Sequence, residues 1–283
     1  MELLSIKKLN ISIDDENKII DGELTIYSGD VVLLTGPNGC GKSTVIKIIL
    51  GDIFDYEGLK YSAKQMLYLG STNLLGAESE REFFRKDICY VSQDDTFESP
   101  DIMDCFMMSL HYSNIENKKK HIFQYVCEFA IGECFGFDSG KRKYDRKVKA
   151  LMREYNLSEE TISDNEYLAL RFLTMKTTSM SGGQKKLANI FVNLIRYSFC
   201  KLIILDEPLN NLDYSNIRAF ANALTKIHII KPEVGILVVT HCRSIPIVNK
   251  VVEIDKDSKK MVIGKEYHCN SCFGAISETG LYI

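Results

Sequence analysis

Two short stretches carry residue types that do chemistry on phosphate. The first, "GPNGCGKST" at residues 36–44, fits the pattern G-x-x-x-x-G-K-[ST] between an apolar run and a helical pattern. Its glycines let backbone N–H groups wrap an anion, and the start of a helix adds partial positive charge. Lys42 can reach the β- and γ-phosphates of a nucleotide, and Ser43 can ligate magnesium. The binding candidates here are Gly36, Pro37, Asn38, Gly39, Cys40, Gly41, Lys42, Ser43 and Thr44. The second stretch, "KLIILDEP" at 201–208, reads as a strand delivering Asp206 and Glu207 at its C-terminal end, where open parallel sheets bind ligands. Asp206 is placed to hold magnesium through water, and Glu207 to polarise an attacking water.

These residues need elements to carry them. The first 35 residues read as short strands with a turn at Ser28-Gly29-Asp30, ending in "VVLLT". A helix is expected over about 42–50, stopped by Gly51. Residues 52–92 read as a polar stretch followed by the strand "DICYVSQ". Helical patterns follow near 101–112, 117–135, 143–155 and 164–175. After "TTSMSGGQKK" at 177–186 come a helix, the strand "KLIIL", a helix over 213–228, the strand "GILVVT" and a β-rich tail. Strands alternating with helices at both ends predict a parallel sheet, and the central block an inserted helical subdomain.

Composition narrows the class of protein. An apolar share of 45% with 26% charged residues is that of a soluble globular chain. Apolar runs end after five or six residues, too short for a membrane span. The N-terminus lacks a secretory pattern, so a cytoplasmic location is expected. A net charge of −3 gives no global reason to expect nucleic acid. Most of the nine cysteines, among them Cys89, Cys127 and Cys200, sit alone in apolar segments, as buried reduced thiols do. Cys269 and Cys272, beside His268, have C-x-x-C spacing but no second ligand pair, and read as ordinary tail cysteines rather than a metal site. "KRKYDRKVKALMR" at 141–153 holds seven basic residues against one acid and reads as a solvated helix face, with a surface for anionic lipid or an acidic partner as the other reading.

Taken in order, Gly36–Thr44, Gln93 in "VSQDD", "SGGQ" at 181–184, "LDEP" at 205–208, "NNLD" at 210–213 and "VVTH" ending at His241 resemble the nucleotide-binding subunit of ABC transporters, of the stand-alone type. The resemblance spans residues 36–241 and is far more specific than the phosphate loop alone. It implies an α/β fold: a P-loop NTPase core with a mostly parallel sheet, an N-terminal antiparallel β subdomain and an inserted helical subdomain. One ABC ATPase domain over 1–283 is expected. Its N-terminal β and phosphate-loop part covers 1–93, and a helical subdomain with an extra insertion covers 94–180. The signature helix, carboxylate strand, switch histidine and tail cover 181–283.

The family's roles carry over residue by residue. Gln93 would sense Mg²⁺ and the γ-phosphate while touching the membrane partner, and His241 would hold the γ-phosphate and the attacking water. With Lys42 and Glu207 these form the catalytic set, and Ser43, Gln93 and Asp206 the metal set. Ser181, Gly182 and Gly183 would be the signature turn, Asp213 would end the loop that crosses the dimer interface, and Gln184 and Lys185 would help start the next helix. In this family two subunits pair head to tail, so that turn would cover the ATP held by a partner subunit.

Some positions depart from the family. Met180 stands where leucine is usual, a volume-conserving change. The segment that should present an aromatic ring to adenine reads "NISIDDENK", which leaves Ile13 nearest that position and base selectivity loose. Gln93 and Ser181 are 88 positions apart, long for the family, which suggests an extra helix or loop within about 113–150.

The function implied is ATP hydrolysis with Mg²⁺, in a homo- or heterodimer of cassettes driving a separate integral membrane permease. The subunit would sit on the inner face of the cell membrane, with peptide or antimicrobial export as a guess at the cargo. The alternative is a soluble ABC ATPase that remodels a cytosolic complex, as in iron–sulfur assembly. A cassette kept for binding and regulation alone is disfavoured by the intact Glu207 and His241.

Overall fold

β3 (Val31–Thr35), β8 (Leu202–Asp206) and β9 (Gly235–Val239) are buried along their whole length. Runs of valine, isoleucine and leucine without alternation suit strands covered on both faces. The computed structural model of the chain describes residues 1–52, 58–76, 84–93, 97–111, 113–210, 212–241, 245 and 247–264. Those three strands form the middle of a six-stranded sheet of order β11-β10-β3-β9-β8-β7. Its other members are β7 (Ile88–Val91), β10 (Lys250–Ile254) and β11 (Met261–Ile263). All neighbours in it pair in parallel except β11, which runs antiparallel to β10.

A second, antiparallel sheet holds β1 (Glu2–Ile13), β2 (Glu16–Tyr27), β4 (Leu59–Ser62), β5 (Gln65–Tyr68) and β6 (Thr72–Asn73). β1 and β2 are twelve residues each, not the short strands their pattern suggests. The reason is local: the register slips between Ile6 and Leu9 and again between Leu9 and Ile11, and Lys8 and Asp21 take positive φ. Such bulges break the inside-outside alternation while the ladder continues. β4, β5 and β6 lie within a stretch whose polar composition gave no strand signal. Helix α1 (Lys42–Leu50) buries Val45, Ile46 and Ile49 in the same core as Leu34, Val239 and Ile204.

The chain divides into two compact units. The first comprises residues 1–93, 197–210 and 224–283 and holds both sheets; the second comprises 94–196 and 211–223 and is helical. The second contains α2 (Ile102–Ser109), α3 (Lys118–Glu128), α4 (Arg146–Glu154), α5 (Asp164–Leu173) and α6 (Gly182–Leu194). Helix α7 (Tyr214–Ile230) contributes residues to both units. An aromatic cluster fills the helical core. Phe106 meets Tyr125 and Phe172 edge-on at 6.1 and 6.2 Å, and Phe135 tilts against Phe172 at 4.5 Å. The buried Tyr125 hydroxyl donates to the Phe191 carbonyl at 3.0 Å, tying α3 to α6.

The single helix expected over 117–135 is two pieces. α3 ends at Glu128, Ala130 adopts a left-handed φ of 48°, and a 3-10 turn follows over Ile131–Phe135. Packing forces the break: a Cβ on Gly132 would lie 2.4 Å from the Leu168 carbonyl, so the turn presses directly on the backbone of α5. The helix expected from 143 begins instead at Arg146, because Asp145 caps it by accepting from Lys147 N and Val148 N at 2.9 and 3.0 Å. Much of the basic stretch is paired. Lys147 meets Asp101 and Lys149 meets Glu159 at 3.1 Å, while Arg142 pairs with Asp164 and stacks over Tyr167.

Among the described residues no helix is long and apolar enough to cross a membrane. Cys40, Cys89, Cys105 and Cys200 are buried and stand outside any disulfide; Cys127 is only half-buried, and burial pushes its thiol up to about 12. His268, Cys269 and Cys272 lie outside the described residues.

Candidate functional site

The phosphate loop sits at the C-terminal end of β3, between that strand and α1. Gly39 and Gly41 hold φ of 74° and 98°, where a side chain is strained. Gly36 is confined as well, since a Cβ there would meet Cys40 Sγ at 2.9 Å and the Ile254 carbonyl at 3.0 Å. Left-handed Gly41 starts α1 with no side-chain cap, so the helix's first amides face the loop. Lys42 is only 6% exposed, and its ammonium donates to the carbonyls of Gly36 and Pro37 at 3.0 and 3.1 Å. An ammonium has three N–H donors, so one remains for a phosphate oxygen.

Asp206 ends β8, whose last residue pairs with Val239 of β9. The Ser43 hydroxyl donates to Asp206 Oδ1 at 3.2 Å, bringing together two hard oxygen donors from segments 163 positions apart. That donor set suits magnesium. Glu207 follows in a left-handed conformation with φ 46°, its amide donating to the Val239 carbonyl at 2.7 Å. Its side chain is buried, with Oε1 3.4 Å from His241 Nδ1. Oε2 is 3.3 Å from the same nitrogen but has no hydrogen-bond partner. The His241 side chain is 55% exposed and comes from the end of the neighbouring strand β9.

Lys42, Ser43, Glu207 and His241 line one open cleft of about 420 Å³ within the first unit, while Asp206 stands behind Ser43 through the bond between them. Asn38, Gly39, Gly41, Lys42, Ser43 and Thr44 form its loop side. Gln93, in the turn after β7, joins Glu207 and His241, and Ile13 arrives from the end of β1. Pro37 and Cys40 shape the loop from behind rather than line the cleft. Asn210 also lines it, a position that the sequence marked only as the start of "NNLD".

Ser181, Gly182, Gly183 and Asp213 belong to the second unit. Ser181 caps α6 through a reciprocal pair: its hydroxyl accepts from Gln184 N at 3.3 Å, and its own amide donates to Gln184 Oε1 at 3.1 Å. Gln184 therefore starts this helix, as expected. Ser181 and Gly182 are exposed, and a Cβ on Gly182 would meet nothing within 4 Å. Asp213 caps α7, accepting from Asn216 N at 2.9 Å and Ser215 Oγ at 2.8 Å. The Asn216 amide, followed by the Ser215 hydroxyl, holds the Asp213 carboxyl below its usual range.

Comparison with known proteins bears on this arrangement. The family described as "ABC transporter" matches residues 20–210. The Microcin-J25 export ATP-binding/permease protein McjD of Escherichia coli is 28% identical over 240 residues, covering 84% of this chain and 33% of that protein. The chain thus spans about a third of that relative's length. The zinc uptake system ATP-binding protein ZurA of Listeria monocytogenes is 27% identical over 261 residues, covering 90% of this chain and 83% of that one. In fold, cbiO1 from Clostridium perfringens, part of the ABC transporter complex cbiONQ, is similar with a TM-score of 0.61 at 18% identity, covering 94% of this chain and 88% of that one. With a phosphate loop, a carboxylate strand and a strand-end histidine converging on one cleft, and the family matched across two thirds of the chain, this protein belongs to the ABC transporter family and carries its ATP-binding core.

Proposed function

We propose that the chain hydrolyses ATP with Mg²⁺ and, in a pair of cassettes, drives an integral membrane permease from the inner face of the cell membrane. The buried Glu207 carboxylate carries this reading: the residue lines the phosphate-loop cleft beside His241, and one of its oxygens makes no hydrogen bond. An acceptor left open in a buried site is costly unless something uses it. A water held between it and the γ-phosphate would donate there and be turned for in-line attack. His241, at the same carboxylate, would hold that water and the γ-phosphate on the solvent side. Lys42 would meet the growing charge with its remaining N–H, helped by the loop amides. Ser43, Asp206 and Gln93 would hold Mg²⁺, which when bound neutralises the β- and γ-phosphate oxygens.

Residues 1–283 then act as one ABC ATPase domain, the 94–180 part serving as its helical subdomain. Ser181, Gly182 and Gly183 would serve a second cassette. Together they form an exposed helix N-terminus without side-chain bulk, suited to the γ-phosphate of a nucleotide held elsewhere. Asp213 would stand at the cassette interface. The names of McjD and ZurA give opposite directions of transport at nearly equal identity, so what they share with this chain is the engine and not the cargo. Peptide or antimicrobial export is the cargo reading that McjD favours.

Coupling is tested by purifying the native protein from cells without detergent stripping. It should sediment with membranes and be released together with a multi-span protein. Recovery in complexes of soluble proteins alone would overturn the permease assignment.

A further inference from the structure

We propose that Lys18 is a second cation for the nucleotide: it releases Glu16 when the cleft fills and pairs with the α-phosphate. The inference rests on the proposed nucleotide site and concerns how that site holds the part of the phosphate chain that Lys42 does not reach.

Lys18 belongs to β2, yet its stem is packed against the phosphate loop. A Cβ on Gly41 would come within 3.4 Å of Lys18 Cβ and 3.7 Å of Ile19 Cδ1, so the strand lies directly on the residue that starts α1. The Lys18 side chain is only 19% exposed, as expected of a lysine whose methylenes lie on protein while its ammonium meets water. Glu16, two residues back on the same strand, holds that ammonium at 2.7 Å. The Glu16 side chain is 64% exposed, and a surface pair of this kind contributes little. Lys18 first, and Lys259 after it, hold the Glu16 carboxyl below its usual range, so a cation stays near Glu16 when Lys18 turns away.

The two lysines serve opposite ends of the loop. Lys42 anchors its ammonium on the carbonyls of Gly36 and Pro37, at the strand end, and serves the β- and γ-phosphates. Lys18 stands at the helix end, beside Gly41, on the same hairpin as Ile13, which lines the cleft. A triphosphate whose last two groups lie on Lys42 carries its α-phosphate past Gly41 toward that hairpin. The loop amides can cradle this group, but a side chain is needed to bring it a full positive charge. A stem anchored on Gly41 and its flexible outer carbons let the Lys18 ammonium turn from Glu16 to the phosphate. The exchange replaces an exposed carboxylate partner with a charge-assisted hydrogen bond beside a packed loop, where salt screens less.

The experiment measures equilibrium binding of ATP and ADP to the full chain at low and high salt. It compares the native protein with Lys18→Met, Lys18→Arg and Glu16→Gln, with Lys42→Ala as control. Lys18→Met keeps a packed stem and removes the charge. It should weaken ATP and ADP by the same factor, about fivefold to tenfold at low salt, because both carry the α-phosphate. The deficit should shrink at high salt, and Lys18→Arg should restore affinity to within about twofold of native. Glu16→Gln frees the ammonium at an exposed position and should tighten both nucleotides about twofold to threefold. Native affinity in Lys18→Met, or equal weakening in Lys18→Met and Lys18→Arg, overturns the proposal, while loss of binding in Lys42→Ala still upholds the nucleotide site. Weakening of ATP alone also overturns it, since the contact would then lie on the γ-phosphate, and so does unchanged affinity in Glu16→Gln. Absence of nucleotide binding by the native chain overturns both readings.

Discussion

Replacing Glu207 by glutamine should leave the protein as stable as the native chain or somewhat more so while cutting turnover by about 10² or more, two effects of opposite sign from one atom exchange. The native carboxylate is buried with Oε2 unpartnered, and its single contact is a histidine that is more than half exposed. An unmade hydrogen bond on a buried acceptor costs about 1–3 kcal/mol, and more when the group is charged. Glutamine has the same shape, keeps an oxygen for His241 and carries no charge, but its NH2 takes the place of Oε2 with its donors unmet, so only the part of the cost that comes from charge is recovered. Against this gain stands the loss of a partly solvated carboxylate–imidazole contact, worth at most about 1 kcal/mol. The left-handed backbone at φ 46° is the same in both forms and cancels. Recovering about 1–2 kcal/mol of that cost and losing up to about 1 kcal/mol leaves about 0–2 kcal/mol in favour of the variant, or a rise of up to roughly 8 °C in melting temperature for a chain of this size. Turnover should fall by about 10² or more, since a general base typically contributes 10²–10⁴-fold. Calorimetry without nucleotide, filter binding of ATP and single-turnover phosphate release together read all three quantities. A variant that melts several degrees lower, or that keeps native turnover, would refute the assignment of an idle acceptor waiting for water.

Ser181→Arg places a bulky cation on the exposed start of α6; ATP binding should stay near normal while ATP-dependent dimerisation and hydrolysis are lost, and native turnover would end the shared-site account. Asp145→Ala removes the cap of α4. The amides of Val148 and Lys147 and the Arg171 guanidinium hold the Asp145 carboxyl below its usual range. Its contribution, about 1 kcal/mol, is therefore full above the unfolded carboxyl value near 3.9. It is lost as pH falls through the lower folded value. Denaturant melts should differ between the native protein and this variant at pH 7 and converge as pH falls well below the unfolded carboxyl value.

Much of the site was legible because its positions obey local rules. The glycine pattern of 36–41, the apolar runs of β3, β8 and β9, and Ser181 three residues before Gln184 each state their geometry in adjacent letters. What stayed hidden depends on distant partners. Bulges at Ile6–Leu9 broke the alternation that marks long strands, and polar β4–β6 owe their pairing to β1 and to one another. The break after Glu128 exists because Gly132 meets α5, 36 positions from Leu168. Asn210 entered the cleft without an obvious chemical label. The idle oxygen of Glu207 is a matter of packing that no spacing announces.

The backbone bond from the Glu207 amide to the Val239 carbonyl has a consequence for how tolerant the site is. Glu207 and His241 stand just beyond the ends of two paired strands, so their separation is inherited from the pitch of a parallel ladder, about 4.8 Å. A length set by main-chain atoms does not drift when nearby side chains change. Loops and surface charges can diverge widely while the two groups keep the same distance. Only an event that parts β8 from β9 would retune it.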